Sequence, residues 1–340
     1  MRIRSGQKWF SFEIPDKYLL GVFSPKSIKV VDDLDQEVLR ALNNPLNSSP
    51  LDCIVNPGDR VVLLVDDHTR ETPTVKILAH VLEQISRAGV KDRNLNILVA
   101  RGTHRPLMAR ELEDKIGINV LKRFRVIQHD CHKEDEMAFA GITRLGTPVW
   151  INRLVLEADK RIGIGHIGPS PYAGYSGAGK LIVPGAASID TVNFNHSFIP
   201  LIFRKIGHMG REFHLITRQD IDEAAALVGM ELVVNVVMNT EGKVVKAFAG
   251  KPESVFEEGL KLARRIHEVE LPGSVDIALT SGNPYSIDLY QAMRAAEYAD
   301  IAVNENGAIL LLADCPDGEY GVGYALRFDR CHRHPGNRYQ

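Results

Sequence analysis

The chain has 340 residues, with 41 basic against 43 acidic side chains, a formal net charge of −2 and a charged fraction of 25%. That length suggests two domains, and an apolar content of 44% without any low-complexity run describes a soluble globular protein with an ample core. The near-neutral balance removes any electrostatic case for nucleic acid or an anionic membrane, and no apolar run approaches the roughly 20 residues that a bilayer span needs.

Met1 to Lys8 lacks the apolar core of a signal peptide. The cysteines (Cys53, Cys131, Cys315 and Cys331) lack metal-binding spacing and read as free thiols of a reducing compartment. A cytoplasmic location is expected.

Residues 9–31 alternate apolar and polar side chains around Pro15 and Pro25 and read as short strands and loops. Asp33 to Leu42 has helical spacing. The run Val61-Val62-Leu63-Leu64-Val65, bounded by turn residues, suits a strand buried on both faces of a parallel sheet. Asp66-Asp67-His68-Thr69-Arg70-Glu71-Thr72-Pro73 follows it, with Thr72 placed to cap the next helix and Pro73 as its first residue. That helix keeps its spacing through Val75, Leu78, Leu82 and Ile85. A second strand, Asn96–Ala100, then runs into Arg101-Gly102-Thr103-His104-Arg105-Pro106. Polar clusters at both strand ends lie where open α/β sheets bind ligands.

A helix over Ala109–Ile116, a strand over Phe124–Gln128, a short strand over Thr147–Ile151 and a connector over Leu154–Lys160 follow. Arg161-Ile162-Gly163-Ile164-Gly165 reads as the strand that delivers the stretch Pro171 to Lys180. Farther on come a helix over 219–228, a strong strand over Glu231–Met238, a hairpin turn into Val244–Ala249 and a helix capped by Ser254. Glu270 to Ser274 is the linker. Beyond it, the strand Val275–Thr280, the helix Asp288–Tyr298 and the strand Gly307–Ala313 begin a second domain. The fold class is therefore α/β with a Rossmann-like N-terminal domain over 1–270, its sheet mostly parallel, and a short α/β domain over 274–340.

Glycines at 174, 177 and 179 let the backbone of Tyr172 to Lys180 turn sharply and approach a ligand closely. Two readings of that stretch stand. Gly174-x-x-x-x-Gly179-Lys180 satisfies most of a phosphate-binding P-loop, yet Leu181 stands where a P-loop has Ser or Thr, and Pro184-Gly185 would break the helix that a P-loop opens.

The second reading is a resemblance. Gly165-His166-Ile167, Tyr172 to Lys180, Pro184-Gly185 and Asn195-His196 are similar to the signature of the nickel-dependent lactate racemase family. The resemblance implies a nickel-pincer nucleotide, a pyridinium mononucleotide carrying thioamide or thiocarboxylate groups, covalently attached to Lys180 with His196 ligating the nickel. Neutral imidazole suits that metal. Asp67-His68-Thr69-Arg70 resembles the family's early motif, which implies that Arg70 holds the substrate carboxylate and Asp67 helps to bind the cofactor. A planar guanidinium is a natural bidentate clamp for a carboxylate, although Arg70 could equally pair with Asp66 or Glu71. Gly102-Thr103-His104-Arg105-Pro106 resembles the motif whose histidine is a general base; a hydrogen-bonded turn histidine is the alternative. Tyr290-Gln291-x-x-Arg294 resembles the motif that closes over substrate and cofactor, with Arg294 where the family usually has lysine. Gln291 and Arg294 share a helix face, and Gly177, Gly179 and Tyr290 complete the implied cofactor contacts.

Ser170 stands where the resemblance expects a second basic histidine, so His166, His129 or another residue would have to take over its task. The tail, with Cys331, His332 and His334, has no family pattern and reads as a solvated terminus rather than a metal trio. The expected function is racemisation or epimerisation of a 2-hydroxy acid by hydride transfer, with cofactor-biosynthesis proteins as partners. The alternatives are a family member that binds cofactor or nucleotide without turnover, and a P-loop-like phosphate-binding enzyme.

Overall fold

The computed structural model describes residues 1–199 and 212–318. The chain divides into two compact units, Ser27–Ile266 and a smaller one made of Met1–Lys26 with the chain from His267 on. Sequence reading drew one boundary, at 270–274. The structure has another near residue 26, since the N-terminal strands β1 (Arg2–Ser5) and β2 (Lys8–Ser11) belong to the smaller unit.

The larger unit is built on strands β3 (Val61–Val65), β4 (Leu95–Val99), β5 (Arg125–Gln128), β8 (Lys160–His166), β11 (Leu232–Met238) and β12 (Val244–Gly250). Their order in the sheet is β12-β11-β8-β3-β4-β5. All neighbours are parallel except the hairpin pair β11–β12. β3 is central and every residue of it is buried. Its alternating side chains feed two cores. Val61, Leu63 and Val65 pack on one face with residues of helices Leu34–Asn43 and Thr74–Arg87. Val62 and Leu64 pack on the other with residues of helices Glu212–Val228 and Pro252–His267. A strand covered on both faces reads as an unbroken apolar run, which is how it was legible.

Strands β6 (Met137–Ile142) and β7 (Pro148–Asn152) form an antiparallel hairpin beside this sheet, of which sequence reading found only the second half. The two-residue strands β9 (Pro169–Ser170) and β10 (Gly174–Tyr175) pair antiparallel and shape the loop after β8. Thr72 does not cap the helix Thr74–Arg87, whose N-cap is Pro73 without a side-chain bond. Its hydroxyl is turned inward and donates to Asp66 Oδ2 at 2.5 Å. The helix Pro252–His267 starts ahead of Ser254, whose hydroxyl meets Asn47 Nδ2 at 2.8 Å.

In the smaller unit, β13 (Val275–Ser281) runs parallel to β14 (Val303–Leu312), joined by the helix Leu289–Asp300 with Asp288 as its N-cap. The β1–β2 hairpin belongs here because Gly6 N donates to Asn283 Oδ1 at 3.1 Å and the Ser281 hydroxyl donates to the Arg4 carbonyl. Among the described residues no helix is long and apolar enough to cross a membrane. Cys331, His332 and His334 lie outside the described residues.

Candidate active site

Three adjacent strands, β8, β3 and β4, end at one edge of the sheet, and their C-terminal extensions carry the candidate residues of the larger unit. Asp67 follows β3 and is 3% exposed. Its Oδ2 lies 2.5 Å from His104 Nδ1, and its Oδ1 accepts from Thr69 N at 3.0 Å and Thr69 Oγ1 at 2.5 Å. Burial opposes ionisation of Asp67, but the charge and hydrogen bond of His104, with the charges of Arg70 and His68, overcome it and hold the carboxyl well below the usual carboxylate range. The carboxylate therefore receives the Nδ1 proton of His104. That fixes the ring's tautomer and leaves Nε2 as the basic nitrogen. The turn reading and the base reading of His104 are thus compatible.

The loop of His104 is built to hold it. The Arg101 guanidinium donates to the His104 carbonyl, and Arg105 grips Glu111 through two bonds of 2.7 and 2.6 Å. Gly102 has φ +54° and donates its N–H to the Gly185 carbonyl at 2.9 Å. This bond joins the His104 loop to the chain just beyond Lys180. A side chain at Gly102 would meet the Pro184 carbonyl oxygen at 3.2 Å, so the approach needs glycine.

Arg70 donates from Nη1 to Thr69 Oγ1 at 2.7 Å and to the Thr69 carbonyl at 3.1 Å. Asp66 is committed elsewhere: its Oδ1 lies 2.6 Å from Lys115 Nζ, and Thr72 Oγ1 donates to its Oδ2. Lys115 also donates to the Arg70 carbonyl at 2.9 Å. It is 7% exposed and projects from the last turn of helix Ala109–Ile116, tying that helix to the loop of Arg70. Sequence reading missed Lys115 because a lysine near a helix C-terminus reads as a dipole-complementing surface charge.

Between Gly174 and Lys180 the chain folds against itself. Gly177 has φ +101°, and an added Cβ would stand 2.5 Å from Ile167 Cγ1. At Gly179 it would stand 3.0 Å from Ala225 Cβ on the helix Glu212–Val228. What these two glycines supply is close contact with the protein's own sheet and helix. Asn235 of β11 accepts from Ala178 N at 2.8 Å and fixes the turn. Lys180 lies in the 3-10 turn Ala178–Leu181, and Leu181 is buried. No α-helix opens at the lysine, which is what phosphate binding by a P-loop requires.

His196 sits in a π-helical turn, Phe194–Phe198, of a kind common at functional sites. It is 6% exposed, its Nδ1 has no hydrogen-bond partner, and its ring lies 5.3 Å from that of Tyr172. Burial, then the positive charges of Lys180 and His104, push its pKa well below that of a free histidine. That shift favours the uncharged ring, the form in which imidazole binds a metal.

Asn195 donates from Nδ2 to Asp220 Oδ2 at 2.5 Å, and Asp220 also accepts from Thr143 Oγ1 at 2.5 Å and Thr147 Oγ1 at 2.7 Å. Asp220 is 1% exposed, so three buried donors depend on it. Asp220→Ala should cost about 3 kcal/mol of stability, since each orphaned buried donor carries a penalty of ~1–3 kcal/mol and the site can partly relax. A fall in the urea midpoint checks this. An unchanged midpoint contradicts it.

His129 does not share the site's chemistry. It is fully buried, with Nε2 2.9 Å from the Ala187 carbonyl, and burial pushes its pKa down to about 4. The unfolded chain, with histidine near ~6.5, binds this proton first as pH falls. Stability present above that value is therefore lost between about 6.5 and about 4, by roughly 3 kcal/mol from this group alone. Urea unfolding at pH 7.5 and 5 measures it, and His129→Asn should show the shallower dependence.

In the smaller unit, Gln291 N donates to the helix cap Asp288 at 2.6 Å, and Arg294 Nη1 donates to Gln291 Oε1 at 3.3 Å with its guanidinium 4.3 Å from the Tyr285 ring centroid. Gln291 and Arg294 thus meet along one helix face, and Tyr290 lies beside them, half-buried.

Residues 5–204 match the lactate racemase N-terminal domain. The chain is 31% identical over 330 residues to a lactate racemase of Thermoanaerobacterium thermosaccharolyticum, covering 95% of this chain and 76% of that protein. The chain belongs to the lactate racemase family. A lactate racemase of Lactiplantibacillus plantarum is 30% identical over 293 residues, covering 85% of this chain and 68% of that protein. The structure of the Thermoanaerobacterium thermosaccharolyticum lactate racemase apoprotein superposes with a TM-score of 0.83 at 28% identity, covering 94% of this chain and 75% of that one. A protein of Thermotoga maritima shares the fold at a TM-score of 0.60 and 19% identity, covering 77% of this chain and 67% of that one. Membership of this family places the chain among racemases, with an α/β fold and a mostly parallel sheet as expected from sequence.

Proposed function

We propose that the chain is a racemase or epimerase of a 2-hydroxy acid that works by reversible hydride transfer, with a nickel-pincer nucleotide covalently held on Lys180 and its nickel ligated by His196. The observation that carries this reading is the buried, unpartnered and neutral His196 within the field of Lys180 and of the His104–Asp67 pair. Among the described residues no three His, Cys, Asp or Glu side chains converge as a metal site. One chain imidazole suits a metal whose remaining ligands belong to an organic cofactor. When bound, the nucleotide supplies the hydride acceptor, a chemistry that no protein side chain provides.

The chain's own residues do the rest. Arg70 is half-buried at the strand edge and presents its guanidinium to the substrate carboxylate. His104 Nε2 removes the C2 hydroxyl proton as the alcohol becomes a ketone and returns it on reversal, while Asp67 holds the ring and offsets its positive charge. The resemblance also assigns Asp67 and Tyr290 to the cofactor and Gln291 and Arg294 to the far end of the substrate, while Gly177 and Gly179 serve the cofactor through the close packing that sets the loop before Lys180. Proteins that make the cofactor would load it in the cytoplasm.

A panel of single-enantiomer 2-hydroxy acids, incubated with cofactor-loaded protein and resolved by chiral chromatography, tests the reading. Inversion of at least one acid is expected. Retention of configuration in all of them, with nickel and cofactor present, favours a binding protein, a reading that Ser170, buried in β9, keeps in view.

A further inference from the structure

Asp66 and Asp67, consecutive residues beyond β3, each face a histidine from a different neighbouring strand. Asp67 holds His104 on the β4 side, and Asp66 faces His166, the last residue of β8, with Oδ2 3.5 Å from Nδ1. On the other side of the His166 ring, Nε2 lies 3.4 Å from Ser176 Oγ. Ser176 belongs to the loop that ends at Lys180; its oxygen accepts from Gly168 N at 3.0 Å, and its hydroxyl is also within donating distance of the His166 and Gly168 carbonyls, each at 3.1 Å, so the relay requires the hydroxyl to rotate from a carbonyl to Nε2. The groups that face His166 are Asp66, Thr72 (Oγ1 3.4 Å from Nδ1) and Ser176, with the charges of Arg70 and Lys115 close enough to act on it. His166 therefore sits between the proposed carboxylate clamp and the lysine loop. Burial, Arg70 and Lys115 lower its pKa below that of a free histidine against the opposing pull of Asp66, and Lys115 and His166 lower that of Asp66 against its own burial.

Inverting a secondary alcohol sets a geometric requirement. With the carboxylate held by Arg70 and the C2 hydrogen facing a single acceptor, exchanging enantiomers moves the hydroxyl to the other side. One imidazole fixed by Asp67 reaches only one of these positions. We propose that Ser176 and His166 form a second proton path, serving the enantiomer whose hydroxyl points away from His104. This rests on the racemase reading above. In the forward step the C2 hydrogen leaves with its bonding electrons to the hydride acceptor and the C–O bond becomes a carbonyl. The hydroxyl proton passes to Ser176 Oγ, and the Ser176 proton passes to His166 Nε2, while Nδ1 keeps its proton on Asp66. Return of hydrogen to the opposite face takes its hydroxyl proton from His104, which enters this direction of the cycle protonated on Nε2 as well as Nδ1; His104 is left neutral and His166 protonated, and proton exchange with solvent resets both before the next turnover. His129 cannot take this part, because its Nε2 donates to the Ala187 carbonyl.

The test separates the two hands. Cofactor-loaded wild type, His166→Asn, Ser176→Ala and His104→Asn are each mixed with one enantiomer at a time, and the first half-reaction is followed by the cofactor's absorbance. His166→Asn and Ser176→Ala should slow one enantiomer by about 10²–10⁴-fold and leave the other within a few-fold, and His104→Asn should do the reverse. A structural role moves both hands together. A second readout needs neither turnover nor substitution. In 15N-histidine apoprotein, His166 should show the Nδ1–H tautomer, and its Nε2 signal should shift with one enantiomer of a 2-hydroxy acid and not the other. Equal slowing of both hands, or of neither, in an active wild type overturns this proposal alone. Wild type inert towards both hands overturns it together with the racemase reading.

Discussion

His104→Gln, in cofactor-loaded protein, should lower kcat by about 10²–10⁴-fold while KM moves little, because general-base catalysis contributes in the transition state and not in ground-state binding. Asp67→Asn should cost less but in the same direction. Asp67 Oδ2 receives the Nδ1 proton at 2.5 Å, and an amide nitrogen there would favour the wrong tautomer. Arg70→Ala should behave differently and raise KM, since the guanidinium holds the carboxylate throughout. Steady-state kinetics on an acid that the wild type inverts separates the patterns. A His104→Gln enzyme with unchanged kcat contradicts the assignment.

Replacing His196 should separate metal retention from cofactor attachment. In His196→Ala the nucleotide should stay on Lys180 while nickel falls to a small fraction of the wild-type content and inversion is lost, because one of the metal's ligands is gone. Metal analysis beside intact mass reads both quantities on one sample. His196 Nδ1 is buried without a partner, so the substitution orphans no hydrogen bond and the chain should fold. Full nickel content in this variant would remove His196 from the metal site.

Much of this was legible before the structure. The run Val61–Val65 announced a strand covered on both faces, and the polar residues at its end and at the end of β4 announced the site edge, because parallel strands place their ligand-binding loops together. Residue types at Lys180, His196 and His104 carried the proposed chemistry. Side-chain commitments over long sequence separations were not legible. Thr72 read as a helix cap because Thr before Pro usually is one, yet a buried Asp66 takes its hydroxyl. Lys115 carried no signal in the sequence, and only the fold brings it under the loop of Arg70. Gly177 and Gly179 read as openings for a ligand, while the chain's own Ile167 and Ala225 occupy the space that a Cβ would need. Asp220 gave no local signal, since its donors come from Thr143, Thr147 and Asn195.

The measurement that bears most directly on the account is intact mass together with nickel content, for wild type and Lys180→Ala, each expressed alongside a cofactor-making pathway. A mass increment and stoichiometric nickel are expected in the wild type, with both absent from the variant. A wild type that emerges unmodified and free of nickel under those conditions would contradict it.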